Sequence, residues 1–311
     1  MNKKLVALLC AVMSICCIFF VACGDEAGGE DSKIPVHYPV IVGGCEIPAM
    51  PQKVVSLSPS VTDMIAALGL SSKLVGVSGA CENPSALPLV GSAVMPDCDK
   101  IIELGANVVL VSEALPAGDA ARMETHNIKV AVIPFAASYD KLKQNYLSVA
   151  SVFAGNINGK KNADVTIERY TQALTEAKAG TAARVAFIMD AAHSFTPDTL
   201  VGDLLSRLGA TNVAAGTQYG CDAKQIAAKN PEVIYCFKGQ KAAVTENENL
   251  KETDAVKNGK VFEIDNLFVE RQGEQVAELI GVLGAPMAGV AASEDVSSGV
   301  PQPESSTNQS K

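Results

Sequence analysis

VVSLSPSVTDMIAALGLSSKLVGV, residues 54–77, decides the fold class. Val54 to Leu57 is a short apolar run with the length and β-branched content of a strand. Ser58 is placed to cap a helix, and Pro59 falls at the first helical position, where a missing N–H is harmless. Val61, Ile65 and Leu68 then mark one helix face, Gly69 ends it, and Leu74 to Val77 reads as a second strand. Strand, helix and strand in such short compass make a βαβ unit, which requires parallel pairing and sets helices on the sheet faces.

The same alternation continues outward. Val108 to Val111 and Val130 to Ile133 read as strands, and Ser138 to Ala154 as a helix ended by Gly155, which completes one α/β lobe over residues 50–158. A polar helix from Lys161 to Ala179, with Ile167, Tyr170 and Leu174 on one stripe, is expected to link the lobes across 159–181. Residues 182–288 repeat the order: strands at Val185 to Met189, Val233 to Phe237 and Val261 to Ile264, a helix through Leu200, Val201, Leu204, Leu205 and Leu208, and a last helix through Val276, Leu279, Ile280 and Leu283. DKIIELGANVVLV (99–111) and KQIAAKNPEVIYC (224–236) align without gaps as helix, turn and strand, a faint echo between the lobes.

Ahead of this region stand Lys3 and Lys4, an apolar run from Leu5 to Ala22, and Ala22-Cys23-Gly24. A charged start, an apolar stretch and a small residue before the cut form a secretory signal, here 1–22. Cys23 directly after the small residue resembles a bacterial lipobox and would become the acylated first residue, anchoring the chain to the outer face of the cell membrane. The run also has the minimum length of a spanning anchor, and either reading exports the remainder of the chain. Residues 23–49, rich in Gly, Pro and acidic residues, read as a flexible tether, and 289–311 as a disordered tail.

With 34 acidic residues against 25 lysines and arginines, a net charge of −9, the chain is a poor partner for nucleic acid. Of nine cysteines, three lie in the signal segment and Cys23 is the lipid site. Cys45, Cys81, Cys98, Cys221 and Cys236 remain, without a Cys-x-x-Cys pair, so neither a zinc site nor a disulfide framework is indicated; Cys81 with Cys98 is a candidate bridge. The stretch GNINGKK (155–161) lacks the spacing of a phosphate loop, and Gly76-Val77-Ser78-Gly79-Ala80 misplaces the second glycine of a nucleophile elbow. No cofactor, metal site or catalytic residue is expected. His193 follows a strand, where α/β folds place ligand loops.

VVSLSPSVTDMIAALGLSSKLVGVSGACENP and MPDCDKIIELGANVVLVSEA resemble the first lobe of the class III solute-binding proteins of ABC importers, which capture cobalamin, iron-siderophores and haem. DTLVGDLLSRLGATNVAA, QIAAKNPEVIYC and NGKVFEIDNLF are similar to the second. The resemblance covers residues 50 to about 287. It implies two Rossmann-like lobes joined by a single long α-helix, a solute held between them, no catalysis, and a monomer that serves a permease with its ATPase. The loops it turns toward the solute carry Ser58, Pro59, Glu82, Asn83 and Glu113 from the first lobe, and His193, Phe195, Phe237, Lys238, Phe268 and Arg271 from the second. The phenylalanines would cover a macrocycle or chelate, and Lys238 and Arg271 would hold an anionic group.

Docking in this family uses one acidic residue per lobe. The first-lobe position corresponds to Asp99; the second falls on Lys224, which reverses the charge, with Asp222 as a substitute nearby. Rival readings are an exported α/β hydrolase built on Ser58 or Ser78 with His193, and a receptor feeding a sensor system.

Overall fold

The computed structural model describes residues 37–83, 85–178, 183–190, 193–214 and 220–287. The signal segment, Cys23 and the proposed tail lie outside these residues. Part of the expected tether is folded. β1 (Val40–Val42) and β2 (Cys45–Ile47) form an antiparallel hairpin. Val40, Val42 and Ile47 are almost fully buried, so composition misled: three apolar residues among the glycines and prolines suffice to seat a hairpin. Gly43, at φ 56°, lies so close to the Val132 backbone that a Cβ would collide with it.

The first lobe runs β3 (Val54–Ser56), α1 (Pro59–Ala67), β4 (Leu74–Val77), α2 (Cys98–Glu103), β5 (Val108–Val111), α3 (Ala117–Thr125) and β6 (Lys129–Val132). Its sheet is parallel throughout, in the order β4-β3-β5-β6. After α4 (Tyr139–Glu176), the second lobe runs β7 (Arg184–Ile188), α5 (Leu200–Arg207), β8 (Thr211–Asn212), α6 (Ala223–Ala228), β9 (Val233–Phe237), α7 (Lys241–Thr245), α8 (Asp254–Lys257), β10 (Val261–Ile264), α9 (Asn266–Glu270) and α10 (Gln275–Gly284). That sheet is also parallel, in the order β10-β9-β7-β8. Each lobe thus sets its first strand inside the sheet, flanked by a later strand on either side.

α4 departs from the expected pair of separate helices. Gly155, at φ 71° and ψ 174°, breaks it into arms 139–154 and 156–176 that fold back on each other. The Tyr139 hydroxyl lies 2.8 Å from Thr171 Oγ1, and the Tyr146 hydroxyl 2.7 Å from that of Tyr170. Near the turn, the Tyr38 hydroxyl donates to the Val152 carbonyl (2.8 Å) and accepts from Gly155 N–H (3.2 Å), meeting backbone groups that the break leaves without helical partners.

Buried apolar residues fall into three groups. The largest spans both lobes: Val54, Met64 and Leu110 of the first join Tyr146 and Tyr170 of α4 and Phe187, Leu204, Tyr235 and Ile280 of the second. Each lobe adds a private core, around α2 and α3 in the first and around α6, α7 and α8 in the second. All five cysteines in the described residues are free thiols, so Cys81 and Cys98 form no bridge. Cys81 Sγ instead lies 3.1 Å from the Thr62 hydroxyl, and Cys98 Sγ 3.4 Å from Asp119 Oδ1.

Candidate solute-binding cleft

In each parallel sheet the first strand of the lobe lies inside, with strands reached by separate connections on its two sides. The loops that leave the inner strands therefore diverge and open a crevice at the strands' carboxyl ends. In the first lobe these loops begin at Leu57 and Ser112; in the second, at Met189 and Lys238. Several of the expected residues stand there exposed: Glu113 after β5, His193 after β7 and Lys238 after β9. His193 Nδ1 is held by Asp190 at 2.8 Å, an ion pair only when the ring is protonated. Glu82 is also exposed, and Pro59, Phe237 and Phe268 are half-buried.

Four expected contacts are used otherwise. Ser58 is 2% exposed; its hydroxyl accepts from Val61 N–H at 3.4 Å and its carbonyl from Thr62 Oγ1 at 2.9 Å, so it caps α1. Asn83 bonds both backbone groups of Leu87 at 2.8 Å and closes its own loop. Phe195 packs edge-on against Phe187, with centroids 4.9 Å apart, inside the core.

Arg271 is the fourth and the most consequential. It is buried, and its guanidinium makes a two-pronged pair with the buried carboxylate of Asp63 on α1, Nη2 to Oδ1 at 2.6 Å. Asp63 raises the Arg271 pKa further by hydrogen bonding, against the opposing effect of burial. Nη1 faces Glu82 at 3.9 Å. The pair joins the lobes, and its neighbours do the same. Gln272, fully buried, accepts from Ala136 N–H and donates to Ala136 O, each at 2.8 Å, as a strand neighbour would. The Tyr146 hydroxyl donates to Gln272 O (3.1 Å) and that of Tyr170 to Gly273 O (2.9 Å). A second junction lies at the start of α4, where Tyr139 N–H donates to Asp203 of α5 (2.7 Å) and Arg207 bridges Asp203 and Asp140.

The sequence reading missed the exposed apolar side chains near the carboxyl ends of the strands. Leu89, Val94 and Met95 are 52%, 64% and 77% exposed in the segment between β4 and α2, and Phe135 and Leu267 are 47% and 48% exposed on either side of the Ala136–Gln272 contact. The available signal was apolar residues in stretches without period. Two small recesses occur among the described residues, one of about 50 Å³ between β7, α6 and α7 and one of about 90 Å³ beside Asp63, Glu82 and Asn83. Each is far below the roughly 300 Å³ of a small-molecule pocket.

Two parallel-sheet lobes, alike in layout and sharing a core, define the class III periplasmic-binding-protein architecture. The sequence profile of the periplasmic binding protein family matches residues 54–267, and the chain belongs to that family. A Bacillus subtilis (strain 168) protein described as the uncharacterized ABC transporter substrate-binding lipoprotein YvrC is 27% identical over 296 residues, covering 86% of this chain and 92% of its own. Among solved structures, a possible iron-binding (periplasmic solute-binding) protein from Staphylococcus epidermidis has TM-score 0.66 at 18% identity, covering 76% of this chain and 99% of that one. The haem-binding RhuT of Roseiflexus gives 0.64 at 19%, over 77% and 98%, and the vitamin B12-binding BtuF of Vibrio cholerae 0.62 at 17%, over 78% and 99%. The protein is thus the solute-binding component of an ABC transporter, with a small-molecule ligand and a permease as partners. It is not an enzyme, and the hydrolase reading falls with that assignment; Ser58 and Ser78 are both only 2% exposed.

Proposed function

We propose that the protein captures a metal chelate or corrinoid (an iron-siderophore, haem or cobalamin) between the carboxyl ends of its two sheets and delivers it to the permease and ATPase of an importer. The carrying observation is that Leu89, Val94, Met95, Phe135 and Leu267 are exposed in segments that follow strand carboxyl ends, as are Glu82, Glu113, His193 and Lys238. Isolated apolar side chains on a surface need no explanation, but several of them on the segments that follow strand carboxyl ends suit a large ligand with apolar faces and a polar rim. Phe237 and Phe268 extend the apolar surface, and Lys238 takes the anionic group, since Arg271 is occupied by Asp63. The protein works as a monomer, held on the outer face of the cell membrane by lipid on Cys23, and touches the permease through Asp99 on the first lobe and the neighbourhood of Asp222 on the second.

Equilibrium titration with cobalamin, ferric haem and a panel of ferric siderophores tests the ligand class. Saturable binding of one of them, weakened at least tenfold by Met95→Asp or Phe135→Asp, is the expected result. Absence of binding to the whole panel would sink it.

A further inference from the structure

The segments that leave the carboxyl ends of the strands are one-sided in charge. In the first lobe, residues 57–58, 78–97, 112–116 and 133–138 contain no lysine, arginine or histidine. Their acids are Asp97, which caps α2 by accepting from Lys100 N–H (3.1 Å), and Glu82 and Glu113. In the second lobe the acids of the matching segments are engaged. Asp190 holds His193 Nδ1 (2.8 Å), Asp198 accepts from the Thr196 hydroxyl, and Asp222 and Asp265 cap α6 and α9. Lys238 is the one lysine or arginine in residues 189–199, 213–222, 238–240 and 265.

Glu82 and Glu113 are the acids left for a solute. Glu82 has 65% of its side chain in solvent, and Arg271, 3.9 Å away, is already paired with Asp63, so the three together carry one net negative charge. Glu113 is exposed and makes no hydrogen bond or ion pair among the described residues. The two follow β4 and β5, the strands on either side of β3, whose axes lie about 10 Å apart. Carboxylates only accept hydrogen bonds, so they attract N–H donors and cations and repel further carboxylates or phenolates. The exposed apolar side chains Leu89, Val94, Met95 and Phe135, which support the ligand reading, stand on these same first-lobe segments and are a separate observation.

We infer that the solute carries no net negative charge. It is a neutral or cationic chelate, of the ferric trihydroxamate or amide-bearing corrinoid kind, that turns donors toward Glu82 and Glu113 and sets at most one anionic group against Lys238. A ferric tris-catecholate, which is a trianion, and a porphyrin with two free carboxylates would each bring more anionic groups than these segments have bases to meet. This rests on the reading that a chelate is bound between the two sheets, and it sorts the candidates of that reading by charge.

The test is equilibrium titration of the full chain, at low salt and at about 0.15 M, where exposed charges are screened over about 8 Å. The probes form matched series that differ chiefly in charge: a linear ferric trihydroxamate with a terminal amine, its N-acetyl and its N-succinyl derivatives; cyanocobalamin and its monocarboxylic acid; and ferric haem and its dimethyl ester. Within the series that binds, each added negative charge is expected to weaken binding about tenfold at low salt and less at higher salt. Glu82→Gln and Glu113→Gln are each expected to cut that step to about threefold, with circular dichroism unchanged. An anionic member that binds as tightly as its neutral counterpart overturns the inference, and so does a charge step that survives both replacements. If no probe binds the wild-type chain, the chelate reading itself fails and the inference with it.

Discussion

Asp63 and Arg271 illustrate how a single side chain changes meaning once its surroundings are known. A lone acid on an apolar helix and an arginine in a loop are ordinary in sequence, and by residue type alone Arg271 suits an anionic solute. Folding buries both and turns them on each other. Such a pair adds little net stability over an apolar replacement, but removing one member leaves a buried charge uncompensated. Asp63→Asn should therefore lower the unfolding free energy by about 3 kcal/mol, read from urea denaturation, whereas the double replacement Asp63→Leu with Arg271→Met should recover most of that loss. The capping role of Ser58 was legible because it depends on residues one turn away. The roles of Arg271 and Gln272 were not, because their partners lie 208 and 136 positions distant.

At the scale of elements, the βαβ start, the two strands at Leu74–Val77 and Val108–Val111 and the repeated lobe order could be read directly, since each rests on local periodicity. The hairpin at β1 and β2 and the fold-back of α4 could not. Reading Gly155 as a helix end is right for the dihedrals, but nothing local says that the next arm returns along the first. The close approach is carried by Gly159, where a Cβ would stand 2.7 Å from Ser151 Cα. Glycine to alanine inside a helix ordinarily stabilises by about 1 kcal/mol. Here the sign should reverse: Gly159→Ala is expected to cost about 2 kcal/mol by forcing the arms apart, measured as a lowered melting temperature. Alanine at Gly159 that stabilises the protein would show that the arms can separate freely.

For the whole molecule, the decisive feature is the core that runs through both lobes. A long helix alone would leave two units able to unfold separately; the shared core and the junctions at Arg271, Gln272 and Asp203 make them one. Calorimetry and urea unfolding should therefore show a single transition with coincident probes. The same core sets the alkaline limit. Burial pushes Tyr170 up to about 12 and raises Tyr146 and Tyr235 well above 10, so the folded state keeps protons that the unfolded chain releases from about pH 10 upward. Stability is thus constant with respect to these groups below that pH and falls as pH rises through about 10 toward 12, which urea midpoints at about pH 8, 10 and 11 will follow. The hydroxyl of Tyr38, bonded at Val152 and Gly155, carries a mechanical consequence. Tension entering from the N-terminal side of the hairpin reaches the closed end of the helix pair, and the arm 139–154, about 24 Å long, leads from that point back toward the strand ends where the solute is proposed to bind. Pulling on the N-terminal segment is thus expected to load the helix pair rather than the proposed solute loops.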